Sequence, residues 1–98
     1  MIILATKEFN RWLLRLKDNN AKAKILLRLQ RIEKKDDFGD SKHLQNQLYE
    51  LRFTEGKGYG VYYSKIDYQK VLMIHGGHKD SQATDIQRAI KILKDYEL

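Results

Sequence analysis

Apolar residues recur along this chain with two different periods, and the change of period separates a helical part from an extended one. Residues 2–5, Ile2-Ile3-Leu4-Ala5, form a short apolar run that reads as a first strand. Thr6 can cap a helix after it, with Glu8 in the first turn facing the positive end of the helix dipole. Phe9, Trp12, Leu13 and Leu16 fall at i, i+3, i+4 and i+7, the stripe of an amphipathic helix. Asp18-Asn19-Asn20 breaks that helix, and Asn20 can cap a second one whose buried face is Ala21, Ile25, Leu29 and Ile32. Two antiparallel helices joined by a short turn are the simplest arrangement. Residues 36–47 hold Gly39 and several polar side chains with no sustained period, and read as loop.

From Leu48 the period shortens. Residues 48–53, 59–66 and 69–76 are rich in Tyr, Val, Ile and Leu and are separated by turn residues, Glu55-Gly56-Lys57-Gly58 and Asp67-Tyr68. They predict an antiparallel meander. Residues 69–76 are apolar almost throughout, as a central strand covered on both faces would be. A last helix follows, capped by Ser81 or Thr84, with Thr84 and Gln87 spaced as a capping box and Ile86, Ala89, Ile90 and Leu93 as its apolar stripe. Strands and helices are segregated, so the predicted class is α+β: a small antiparallel sheet carrying an N-terminal helical hairpin and a C-terminal helix. The first strand is expected to pair with the meander. The helices would then lie against one face and leave the other partly open, where function is sought.

Composition narrows the reading. Ninety-eight residues make one domain, 1–98, with an expected radius of gyration of roughly 13 Å. There is no cysteine to form a disulfide, which fits a reducing compartment. No apolar run approaches the ~20 residues that span a bilayer, and the short N-terminal run lacks the length and basic lead-in of a signal peptide. The expectation is a soluble, cytoplasmic protein with no membrane partner. Nineteen Lys and Arg against thirteen Asp and Glu give a net charge of +6. That excess favours a polyanionic partner, RNA or DNA, unless it serves only solubility.

Candidate chemistry follows from strand alternation. If Tyr49, Leu51 and Phe53 point inward, Glu50 and Arg52 face the open side. With Tyr59, Val61 and Tyr63 inward, Gly60, Tyr62 and Ser64 face outward. Arg52, Lys57, His78 and Lys79 then converge near one end of the sheet, where cations and an imidazole can hold a phosphodiester, stabilise its added charge and move a proton. His75, at a strand end, reads as a structural residue, and His78, in a polar loop, as the better titrating group. His43, His75 and His78 match no metal motif, and no cofactor is implied. Gly76-Gly77 read as the sharp turn from sheet to helix. Lys24, Arg28, Arg31 and Lys35 line one face of the second helix and suit non-specific phosphate contact, or else form a solvated face. An exposed Tyr62 would stack a base.

Phe9-Asn10-Arg11-Trp12-Leu13, Leu48-Tyr49-Glu50-Leu51-Arg52, Gly58-Tyr59-Gly60-Val61-Tyr62-Tyr63 and Gly76-Gly77-His78-Lys79, followed by Gln82 and Asp85-Ile86, resemble in order the RelE/ParE toxin superfamily. The nearest branch is the HigB-like addiction module killer proteins. The resemblance implies the toxin of a type II toxin–antitoxin pair, partnered by an antitoxin that usually carries a helix-turn-helix. It further implies a metal-independent endoribonuclease that cuts mRNA on the ribosome, with the RNA's own 2′-OH as nucleophile. The resemblance implies that Arg52 lies where a basic residue of the family contacts the RNA backbone and Lys79 where one reaches the phosphate, with His78 in a neighbouring, variable place. One residue departs: the family's Gly-Tyr-Arg-Val-Tyr-Tyr has an arginine where this chain has Gly60, which implies an attenuated enzyme. A ParE-like gyrase poison and a non-catalytic RNA- or protein-binding module are the alternative readings.

Overall fold

The computed structural model describes residues 1–96. Strand β1 (Ile2–Ala5) leads into α1 (Lys7–Arg15), α2 (Asn19–Lys35), β2 (Ser41–Gln45), β3 (Leu48–Phe53), β4 (Tyr59–Lys65) and β5 (Lys70–His78). A 3₁₀ turn, Lys79–Ser81, then opens α3 (Gln82–Tyr96). The sheet has five strands in the order β1-β5-β4-β3-β2. β1 runs parallel to β5 and the other neighbours are antiparallel. The α+β class and the meander are as the sequence predicts, and the Cα radius of gyration is 12.3 Å.

The sheet is covered on both faces, contrary to the expectation of an open side. On one face Phe9 of α1 and Ala21, Ile25 and Ile32 of α2 pack on Leu51, Phe53, Tyr59, Val61, Tyr63, Val71 and Met73. On the other, Ala89 and Leu93 of α3 cover Leu48, Tyr62, Leu72 and Ile74, with Ile86 and Ile90 beside them. Each large buried side chain contributes about 1.5–3 kcal/mol, so neither face is dispensable in a domain this small. The covered face was foreshadowed by apolar residues on both sides of β5: Leu72 faces α3 while Val71 and Met73 face α1 and α2.

Four local expectations need correction. Residues 36–47 contain β2, an edge strand whose faces are both mostly polar and exposed, so it carries no alternating signal. The cap of α2 is Asp18, whose Oδ1 accepts from the Ala21 N–H at 3.0 Å, and not Asn20. Thr84 lies within α3 and does not cap it, whereas Ser81, the other expected cap, directly precedes the helix; the 3₁₀ turn before it is capped by His78, whose side chain accepts from the Asp80 N–H. Thr6 does cap α1 as expected. Lastly, Gly76 and Gly77 lie inside β5, so they make no turn. A Cβ on Gly76 would lie 2.4 Å from the Trp12 ring, and one on Gly77 would collide with the Asp85 carboxylate. Their role is close approach, on opposite faces of the same strand.

Candidate functional site

Alternation places Arg52 and Glu50 of β3 on the α3 side, as the sequence predicts, because Tyr49, Leu51 and Phe53 turn to the other core. In the ladder Arg52 sits across from Gly60, and Gly60 across from Gly77. Two glycines in one row leave a shallow floor between the Arg52 side chain and the end of β5. Glu50 fills it: its carboxylate would meet a Cβ on Gly60 at 2.3 Å. Although Glu50 is only 1% exposed, its charge is satisfied. Gln82 Nε2 donates to both carboxylate oxygens, at 3.3 and 3.2 Å, and Lys79 Nζ lies 3.5 Å from Oε2. A buried carboxylate without such partners would be prohibitively costly.

Arg52 and Lys79 therefore share one rim, bridged by Glu50 and the glycine floor. Their side chains are 43% and 40% exposed. Arg52 Nε donates to Asp40 Oδ1 at 3.2 Å, which leaves the rest of the guanidinium fork toward solvent. Both cations can reach an anion. Tyr62 cannot stack a base, because it is 1% exposed beneath α3. Burial, and then the negative charges of Glu50 and Asp85, push its hydroxyl well above the ordinary tyrosine range, so it stays neutral.

The other two members of the expected cluster sit elsewhere. His78 pairs with Tyr59 in the ladder and so faces the α1 side. With Lys57 it lines a shallow cleft that also includes Trp12, Lys17 and Asp18. Its Nδ1 accepts from the Asp80 N–H at 3.2 Å. The end of the sheet thus presents two sites on opposite faces.

The basic stripe of α2 is also divided. Arg28 donates to the carbonyls of Phe38, Asp40 and Arg52 at 3.1, 3.2 and 3.2 Å, and its guanidinium lies 4.5 Å from the centre of the Phe53 ring. Burial lowers its pKa, with the charge of Arg31 adding to that effect. It ties the chain before β2 to α2. Arg31 is paired with Asp37 at 2.8 Å. Lys24, Lys34 and Lys35 remain around the mouth of a surface cleft of about 530 Å³.

Sequence reasoning gave no role to Asp40 and did not foresee that Gln82 would reach Glu50 or that Ser81, Asp85 and His75 would cluster. Ser81 Oγ donates to Asp85 Oδ2 at 2.5 Å, and His75 Nε2 lies 3.6 Å from Asp85 Oδ1. The available signal was a Glu between two apolar strand residues and an Asp in the first turn of the last helix. Among the described residues no three His, Cys, Asp or Glu side chains gather in a way that could hold a metal ion. Likewise, no described helix is long and apolar enough to cross a membrane.

A family model described as Phage derived protein Gp49-like matches residues 11–97. The chain belongs to this family. The match includes every residue of the rim, from Asp40 through Gln82. The Gp49-like chain is also 40% identical over 96 residues to an uncharacterized protein of Haemophilus influenzae, covering 98% of this chain and 96% of that one. No solved structure matches it significantly.

Proposed function

We propose that the protein is the toxin of a type II toxin–antitoxin pair, and that it cleaves mRNA on the ribosome with Arg52 and Lys79 holding the scissile phosphate. Membership of the Gp49-like family, a family of addiction-module toxins, supports the first part. A single observation carries the second: two half-exposed cations from different elements share one rim of the sheet.

In this reading the 2′-oxygen of the RNA attacks the neighbouring phosphorus, and the bond from phosphorus to the 5′-oxygen breaks. The 2′-hydroxyl gives up its proton and the 5′-oxygen gains one, leaving a 2′,3′-cyclic phosphate and a 5′-hydroxyl. Negative charge accumulates on the non-bridging oxygens in the transition state. A preorganised guanidinium and an ammonium aimed at those oxygens lower the barrier, and each such donor is typically worth ~10²–10³ in rate. The two rim cations are half-exposed, and in this reading the ribosome positions the substrate on them. The antitoxin, a small helix-turn-helix protein in related systems, would be the partner that neutralises it.

One observation favours a second reading, a non-catalytic RNA- or protein-binding module. Each rim cation is already paired with a carboxylate, Asp40 or Glu50, and Gly60 supplies no third donor. Mapping 5′ ends of translated mRNA after induced expression separates the readings. Codon-phased cuts are the expected result. Ribosome binding without cuts would favour the module, and DNA breaks without cuts would favour a gyrase poison.

A further inference from the structure

β1 ends at Ala5, opposite Met73, but β5 continues to His78. Among the described residues, no strand lies beside the outer edge of β5 beyond Met73. The chain turns away there, with Thr6 Oγ1 donating to the Ile74 carbonyl at 2.6 Å, and enters α1. α1 packs on one face of the sheet and α3 on the other, and residues of both helices, with His75 of β5, line an open cleft of about 550 Å³. Trp12 and His75 line its inner part.

Four cations stand around this cleft: Arg11 and Arg15 on α1, Arg88 and Lys91 on α3. Each pair is spaced at i,i+4 or i,i+3, so each forms a row along its helix. Two like-charged rows facing one another repel, and two carboxylates, Glu8 and Asp95, offset only part of that charge. Among the described residues none of the four forms an ion pair, whereas Arg28 and Arg31 of α2 are tied to their own chain. His75 Nδ1 is buried without a hydrogen-bond partner beside the cleft.

We propose that the cleft between α1 and α3 binds the phosphodiester backbone of single-stranded RNA, at a site separate from the Arg52–Lys79 rim. The cationic rows extend over several residues of each helix at about 1.5 Å per residue, which suits successive phosphates better than one small anion. Guanidinium forks match phosphate oxygens in bidentate geometry. Trp12, half-buried against the backbone of Gly76, offers a ring for base stacking next to the cations. This site does not require the rim to be catalytic.

Trp12 is the sole tryptophan of the chain and thus a built-in reporter. The full-length protein is titrated with a fluorescein-labelled, mixed-sequence single-stranded RNA at about 50 mM salt. Anisotropy and Trp12 emission are followed together. RNA is expected to change Trp12 emission with the midpoint seen by anisotropy. Arg11→Glu with Arg88→Glu is expected to weaken binding by about tenfold or more and to reduce the salt slope by roughly 1.4. Lys42→Glu with Lys70→Glu, two exposed positions that do not line the cleft, is expected to leave affinity within about threefold. Trp12 emission that ignores saturating RNA, or equal losses from the two double variants, would overturn the proposal. So would inorganic pyrophosphate competing as well as the RNA, since the site would then be one for small polyphosphates. The emission test on the parent protein needs no variant to fold. RNA binding here with no mRNA cleavage would leave this site standing and remove only the catalytic reading.

Discussion

Gly76 decides where Trp12 can lie. A methyl group there would stand 2.4 Å from the indole, whose rigid ring cannot fold aside as a flexible side-chain tip can. Gly76→Ala is expected to cost about 1–3 kcal/mol, measured by urea denaturation, and to shift Trp12 emission. His75 carries a pH signature. Burial lowers its pKa; the Arg88 charge acts in the same sense, while Asp85 and Glu8 act against it. Above about pH 6.5 the ring is neutral in both folded and unfolded chains. As pH falls below that value the unfolded chain takes up the proton first, so stability drops until the folded ring also protonates. Melting temperature should therefore fall between about pH 7 and pH 5.5 less steeply for His75→Asn than for the parent; parallel curves would show that the ring is not the source. Gly60 poses the functional counterpart. An arginine there would start against the Glu50 carboxylate and compete with Lys79 for it, adding a third cation to the rim. Gly60→Arg is expected to raise mRNA cleavage, by up to ~10²–10³. An unchanged rate with an unchanged circular dichroism spectrum would mean that Gly60 does not attenuate the site.

At the scale of elements, Arg28 does the work of a clamp. Its three carbonyl contacts hold residues 38–40 and the end of β3 against α2. Arg28→Met keeps the apolar stem and removes the donors; it is expected to cost about 2–4 kcal/mol, with faster amide exchange across β2. Lys24→Ala, one turn away, is expected to stay within about 0.5 kcal/mol. The contrast shows what was legible beforehand. The stripes of α1, α2 and α3 and the alternation of β3 and β4 could be read because each faces one core and one solvent side. β2 could not, since Lys42, His43 and Gln45 leave no apolar side to count. The split of the α2 stripe was equally hidden, because Arg28 and Lys24 differ only in where residues 38–40 happen to fold. For the same reason alternation put Arg52 and Glu50 on one face but did not reveal that Gln82 and Lys79 would come to Glu50.

For the molecule as a whole, the two-sided core concentrates function at its edges. With α1 and α2 on one face and α3 on the other, only rims and clefts remain for ligands. The net charge of +6 is likewise unevenly used. Arg28 and Arg31 are spent on the fold, Arg52 and Lys79 stand half-exposed at the rim, and Arg11, Arg15, Arg88 and Lys91 surround the α1–α3 cleft. His78 and Lys57 form a further group on the opposite face, away from Arg52. The most direct measurement is single-turnover cleavage of a defined mRNA on translating ribosomes by purified parent, Arg52→Ala and Lys79→Ala proteins. The account predicts cleavage by the parent and a loss of ~10²–10³ in each variant, with folded spectra throughout. Cleavage at the parental rate by both variants would contradict it.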